Sequence, residues 1–144
     1  MAFETRTRRR VSGAVLAIAF ALVASGCDWF KNDSSPSDTT TTTETFTGTL
    51  AAQGSNIYTF TVAKSGTVKV TLTSVAPTAT TPVGLGIGTP SGTSCTVTSS
   101  TPSATAGSNP QITVTQNPGS YCIRVFDGGA VTTAITFSIT VEHT

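Results

Sequence analysis

From Thr45 to the end of the chain, apolar residues recur at every second position, and no stretch carries the spacing of a helix. A period of two is typical of β-strands that bury one face and expose the other. The alternating groups number eight, and turn residues separate them; they lie at residues 46–50, 58–62, 68–72, 83–87, 95–97, 112–114, 121–125 and 135–141. This pattern predicts an all-β fold, an antiparallel β-sandwich of about eight strands.

The fourth group differs from the others because glycine fills the positions between its apolar residues. Gly84, Gly86 and Gly88 occupy the second phase of this strand. The run lacks the G-x-G-x-x-G spacing and the following helix of a phosphate-binding loop. A strand with one bare face allows another backbone or a loop to approach closely. We therefore expect a covered strand here and not a phosphate site.

The N-terminal segment has the three parts of an export signal. Arginines at positions 6, 8, 9 and 10 precede an apolar run over 11–24, which ends in Ala24-Ser25-Gly26-Cys27. The run is too short to span a bilayer, which needs about 20 residues. Cysteine directly after small residues resembles the bacterial lipoprotein signal, in which residues 1–26 are cleaved and Cys27 is the lipid attachment site. We predict a lipid-anchored protein of the bacterial cell envelope, facing the periplasm or the cell exterior. The alternative is an ordinary cleaved signal with an accidental cysteine.

Three cysteines, Cys27, Cys95 and Cys122, leave an odd thiol that needs an explanation in an exported protein. Acylation of Cys27 would leave one pair, so we predict a Cys95–Cys122 disulfide, which suits an oxidising compartment. Two reduced buried cysteines are the alternative. Cys122 lies out of phase with the apolar residues beside it, so the bridge is expected on the outer surface of a sheet or at its rim.

Residues 28–44 are polar and include five consecutive threonines at 39–43. Such a segment cannot bury enough apolar surface to offset its ordering entropy. We predict a disordered tether over 27–44, followed by a folded domain over 45–144. From Cys27 onward the chain has four basic and six acidic residues, which gives a net charge of −2. Because no basic patch is left, we expect no nucleic-acid partner.

Five strand segments occur in a familiar order: FTGTL at 46–50, YTFTV at 58–62, GTVKVTL at 66–72, GSYCIRV at 119–125 and FSITV at 137–141. With them, residues 45–142 resemble the bacterial pre-peptidase C-terminal domain, a jelly-roll-like β-sandwich found on secreted peptidases and many envelope proteins. Members of that family often carry aspartates in the middle strand, where this chain has Gly84-Leu85-Gly86-Ile87. The resemblance therefore implies the sandwich without a calcium site built on those carboxylates.

The predicted domain offers little for catalysis. Its one histidine, His143, lies next to the last residue, where chains fray, and is interpreted as a tail residue. A Ser-His-Asp set therefore has no candidate, and Asp127 and Glu142 make a poor pair for acid catalysis. No cluster of ligands suits a metal ion. We expect no enzyme activity, no metal and no cofactor.

Phe126 is an aromatic residue in the outward phase, next to Arg124 and to the Asp127-Gly128-Gly129 turn. Arg124, Phe126 and Asp127 are therefore candidates for ligand contact, for instance with a sugar. In the alternative, Phe126 packs under a loop and Arg124 stacks over the sheet. The polar stretch 99–110 is a candidate binding loop.

These features predict a non-catalytic lipoprotein, anchored to the membrane by its lipid, whose sandwich binds an envelope protein or a glycan. Two alternatives stay open. The first is a structural coat component, which shields the envelope with a hydroxyl-rich surface and has no specific small ligand. The second is an accessory module for a separately encoded secreted hydrolase.

Overall fold

The computed structural model describes residues 40–144, which form eight β-strands and no helix. The strands are β1 (Thr42–Leu50), β2 (Ser55–Val62), β3 (Gly66–Ala76), β4 (Val83–Ser91), β5 (Ser94–Ala104), β6 (Ile112–Gln116), β7 (Gly119–Phe126) and β8 (Ile135–His143). Each predicted strand coincides with one of them, so the all-β prediction is confirmed. Within the same residues no helix is long and apolar enough to cross a membrane.

The strands form two four-stranded sheets, which we call the first sheet (β1-β8-β3-β6) and the second sheet (β2-β7-β4-β5). All neighbouring strands run antiparallel. Only β4 and β5 are consecutive in the chain and adjacent in a sheet, and the other connections pass from one sheet to the other. Eight strands in this order form a jelly roll, which confirms the fold that the family resemblance implied.

The core lies between the two sheets and consists of the residues in the inward phase of each strand. Leu72 and Ile139 of the first sheet and Ile87 and Ile123 of the second have no exposed surface. Partly buried aromatic residues extend this core to its edges; they are Phe46, Tyr58 and Tyr121. Burial on the alternating positions is what stabilises each strand, since an isolated strand gains little from its own backbone.

Both ends of the described domain differ from the predictions. β1 begins at Thr42, so the last three residues of the predicted tether belong to the first sheet. The prediction of a frayed tail at His143 is also wrong, because β8 runs through His143 and Thr42 pairs with it. The histidine continues the inward phase of β8 and is 4% exposed. The predicted signal, Cys27 and the rest of the predicted tether up to residue 39 lie outside the described residues.

The polar stretch 99–110 is only partly a loop. Its first six residues belong to β5, which ends at Ala104. The part after β5 is tied to β3, because the backbone N–H of Gly107 donates to the carbonyl of Leu72 at 2.9 Å. The Gln111 side chain accepts a hydrogen bond from the N–H of Leu72 and donates one to the carbonyl of Thr105. A long binding loop at 99–110 is therefore not present.

Candidate functional site

β5 pairs with β4 as the edge strand of the second sheet, and the glycines of β4 allow the start of β5 to lie over the outer face of that sheet. A Cβ atom at Gly86 would lie 2.9 Å from Cγ1 of Val97. At Gly88 it would lie 2.7 Å from Cα of Val97 and closer still to the carbonyl of Thr96. Backbone therefore occupies the space that a side chain would need at Gly88. The expectation that these glycines admit a close neighbour is confirmed.

A disulfide fixes the start of β5 to this face. Cys95 and Cys122 are bridged, with 5.9 Å between their Cα atoms, which confirms the predicted pair and excludes the reduced alternative. Cys122 lies on the outward side of β7, opposite Gly88 of β4. It is nevertheless fully buried, because the start of β5 lies over it. The bridge thus lies on the outer face, as expected, but Cys122 is not a surface residue.

A depression of about 220 Å³ opens beside the bridge, and we call it the outer-face depression. Its lining residues come from β2, β5 and β7, namely Ser55, Ile57, Ser94, Cys95 and Arg124. Ile57 and Arg124 are directly opposite each other in the β2–β7 register. The start of β5 therefore provides one wall, and the edge strand β2 provides the other.

Arg124 is held in place by an aromatic ring and not by an acidic partner. Its Cζ atom lies 5.3 Å from the ring centroid of Phe126, a cation–π distance. Phe126 in turn packs against Gly84, whose missing side chain makes room for the ring. The alternative interpretation placed Phe126 under a loop and Arg124 over the sheet; in the structure Phe126 is half-buried and Arg124 lies over its ring. The ring is half-buried and therefore not a free platform for a sugar.

The third candidate residue, Asp127, is used by the protein backbone. Its Oδ1 accepts hydrogen bonds from the N–H groups of residues 129–131 at 2.7, 2.9 and 3.0 Å. Its Oδ2 accepts one from the N–H of Gln53 at 2.8 Å. These N–H groups, that of Gln53 foremost, lower the pKa of Asp127 below its ordinary value. Asp127 thus shapes the loop after β7. Among residues 40–144 no three His, Cys, Asp or Glu side chains come together as metal ligands.

A second and larger depression, of about 450 Å³, lies at one end of the first sheet. Its charged residues are Lys69 and Glu142, and their side chains form an ion pair at 3.0 Å. Each of these charges therefore already has a partner. For this reason we regard the outer-face depression, although smaller, as the better candidate for a binding site.

Three residues of the outer-face depression were not among the sequence candidates: Ser55, Ile57 and Ser94. Ile57 did carry a signal, because it is apolar and lies out of phase with the inward residues Tyr58 and Phe60. It is the one large apolar side chain of the described residues that is classed as exposed, at 37%. The serines carried no signal, since hydroxyl residues are frequent on every strand.

Comparison with known proteins agrees with this structure. The model of the family "Bacterial pre-peptidase C-terminal domain" matches residues 54–127, which is just over half of the chain. The matched segment runs from β2 to β7 and contains every lining residue of the outer-face depression. No curated protein matches the chain. Domains of this family are generally non-catalytic. By its sequence match and its jelly-roll fold, the chain belongs to the family of bacterial pre-peptidase C-terminal domains.

Proposed function

We propose that this protein is a lipid-anchored, non-catalytic component of a bacterial envelope that binds a glycan or a protein through the outer face of its second sheet. The observation that carries the proposal is the outer-face depression, in which an exposed arginine stands between two walls. The family match supports it, since such domains are generally β-sandwich modules without catalytic activity. Binding sites commonly combine an apolar surface with a few polar groups, as this depression does.

The anchoring part of the proposal is supported by the sequence around Cys27, which lies outside the described residues. The cysteine follows a basic segment, an apolar run and the small residues Ala24-Ser25-Gly26. The test is intact-mass analysis of the full chain after expression in a bacterium and extraction from membranes. We expect loss of residues 1–26 and a gain in mass from acyl chains on Cys27. A soluble product with an unmodified first cysteine would contradict the anchor, and Cys27→Ser gives the matching unanchored control.

The binding part is tested with envelope extracts and a panel of bacterial glycans. We expect saturable binding to at least one component, and we expect Arg124→Gln to weaken it. Lys64→Gln is the matched control, because Lys64 is also an exposed cation but lies outside the outer-face depression. Equal binding by the two variants, or no saturable binding by the unaltered chain, would contradict a site at Arg124.

A coat component without a specific ligand is the second candidate, and the outer face of the first sheet favours it. Threonines line up there across three neighbouring strands, for example Thr45, Thr140 and Thr71. A surface of hydroxyl groups holds water without attracting ions, as a shielding layer would. If the unaltered chain binds no component saturably, and its deletion still makes cells more permeable, this second function is the better account.

A further inference from the structure

The charge of Arg124 is not used within the described domain. Among residues 40–144, Lys69 forms an ion pair with Glu142 and Nε2 of His143 contacts Glu44, and Arg124 takes part in neither contact. Its guanidinium also makes no hydrogen bond to another residue of this range, and its neighbour is the ring of Phe126. A cation–π contact with a ring restrains the position of the guanidinium while leaving its N–H groups available. Within residues 40–144, Arg124 is therefore a positioned donor without an acceptor.

The acceptor that fits this donor is a single carboxylate. A guanidinium donates two parallel hydrogen bonds to a carboxylate, with one positive charge against one negative charge. A phosphate monoester carries nearly two negative charges at neutral pH and would call for a second cation, whereas a phosphodiester carries one charge but is tetrahedral and not planar. The residues that line the outer-face depression include no other charged side chain. Charge balance therefore favours an anion with a single negative charge, and the two coplanar N–H donors favour a planar carboxylate.

The remaining lining residues indicate what carries the carboxylate. Ser55 and Ser94 are exposed and offer hydroxyls that both donate and accept hydrogen bonds. Ile57 adds an apolar surface, and the half-buried Cys95 adds part of the bridge. A volume of about 220 Å³ lies below the usual range of ligand sites, about 300–1,000 Å³. This combination of hydroxyl groups, apolar surface and small volume suits a single sugar ring, which has hydroxyl groups at its edge and C–H groups on its face.

A peptide is the weaker fit. Peptides that bind β-sandwiches usually add a strand at a sheet edge, where they gain backbone hydrogen bonds. The outer-face depression lies on the face of the sheet. The free edge of β1 is partly closed, because Tyr58 Oη donates to the carbonyl of Thr47 at 3.0 Å and Asn56 Nδ2 to that of Thr49 at 3.1 Å. A sugar unit needs no such edge.

We propose that the outer-face depression binds one uronic-acid unit of an acidic polysaccharide, with Arg124 holding its carboxylate. The serine hydroxyls bind the sugar hydroxyls, and Ile57 packs against the C–H face of the ring. This inference rests on the proposed function, because it specifies the ligand of the same site. The proposed site requires the start of β5 to lie over the sheet, since Ser94 and Cys95 are the first residues of that strand.

The test uses the full chain in neutral detergent and calorimetry with short oligomers of galacturonate, glucuronate and mannuronate. We expect saturable binding to at least one of them, and a loss of affinity of about tenfold or more when its carboxylates are methyl-esterified. Arg124→Gln should cause a similar loss. Arg124→Lys should lose part of the affinity, because lysine keeps the charge but not the paired donors. Lys64→Gln should bind like the unaltered chain.

The competing ligands define the results that would overturn the inference. Equal or tighter binding of a poly-glutamate peptide would point to an acidic protein partner, and equal binding of sulfated dextran to a general anion site. Failure of all three uronate oligomers would refute the inference. If a neutral glycan or an envelope protein still bound in an Arg124-dependent way, the proposed function would survive that failure. If nothing bound saturably, both would fall.

Discussion

Replacing Gly88 with alanine should break the contact that creates the outer-face depression. The new Cβ atom would lie 2.6 Å from the carbonyl carbon of Thr96 and 2.7 Å from Cα of Val97. Cβ atoms in proteins essentially never lie within 3.0 Å of a non-bonded heavy atom. Both neighbours are backbone, so no rotamer change can relieve the clash, and the start of β5 must lift from the sheet.

The size of the expected loss of stability depends on whether the new Cβ atom meets backbone or a side chain. Inserting a methyl group into a packed site costs about 1–3 kcal/mol, and a backbone neighbour places Gly88→Ala at the upper end. At about 4–8 °C per kcal/mol for a domain of this size, Tm should fall by more than about 10 °C. Gly86→Ala meets the Val97 side chain at 2.9 Å, which can shift, so its cost should be about 1 kcal/mol.

Urea unfolding of the full chain in detergent, followed by circular dichroism, measures these differences. Gly107→Ala is the matched control, because a Cβ there would meet nothing within 4 Å. Its stability should lie within about 0.5 kcal/mol of the unaltered chain. Peptide mapping reports whether Cys95 and Cys122 are still bridged. If Gly88→Ala unfolds at the same urea concentration as Gly107→Ala with the bridge intact, β5 does not cover β4, and the reasoning about the depression fails with it.

Three further predictions concern the disulfide bridge, Asp127 and His143. Replacing Cys95 and Cys122 with serine should lower the unfolding free energy by about 3.5 kcal/mol in the chain-entropy model, given a sequence separation of 27, and urea unfolding checks this. Because the pKa of Asp127 is lowered in the folded state, its contribution to stability is present above the ordinary pKa and is lost as the pH falls below about 4. Asp127→Asn should therefore be less stable at neutral pH and show a shallower acid loss in unfolding curves from pH 7 to pH 2. His143→Ala should lower the unfolding free energy by about 1–3 kcal/mol, because it removes the 2.9 Å contact with Glu44 and the packing against Phe60. Thr132→Ala, at an exposed position, is the control. Equal urea midpoints for the two variants would contradict the burial of His143.

The strands could be predicted because their signal is local. Alternation of apolar and hydroxyl residues is visible within five residues, and it locates segments such as Phe137–Val141 without knowledge of their neighbours. The order of strands in each sheet is not local. β1 pairs with β8 across nearly the whole domain, and Thr42 meets His143 in that pairing. The jelly-roll order entered through the family resemblance, since alternation alone is equally compatible with other sandwich orders.

The burial of His143 shows how a positional rule can mislead. Closeness to the C-terminus suggested fraying, but the residue is in phase with Ile139 and Val141 of the same strand. The alternation of buried residues along β8 was the better signal, because the pairing of β8 with β1 continues as far as His143. The Nε2 atom lies 2.9 Å from Oε1 of Glu44, while Nδ1 is buried without a partner. Only one of the two ring nitrogens of His143 therefore has a partner among the described residues, and the sequence pattern does not reveal this.

The candidate site could be predicted only in part because it depends on two irregularities that meet in space. Bare glycines on β4 and an out-of-phase Cys122 on β7 are each visible in the sequence. That they occupy one face follows only when Gly88 is paired with Cys122. Ser55 and Ser94 join them from two other strands and carry no signal of their own. The contact of Arg124 with Phe126 was the part open to prediction, because i and i+2 share a face of one strand.

The bridge and the core are separate in this domain, which gives the disulfide a specific role. Neither cysteine belongs to the apolar cluster between the sheets, which includes Leu72, Ile123 and Ile139. Loss of the bridge should therefore free the start of β5 before it unfolds the sandwich. Since such bonds persist in oxidising compartments, the proposed export would bring the chain to a place where the wall of the outer-face depression can be completed. Under the proposed function, the candidate binding surface would therefore form in the compartment that contains the proposed envelope ligand.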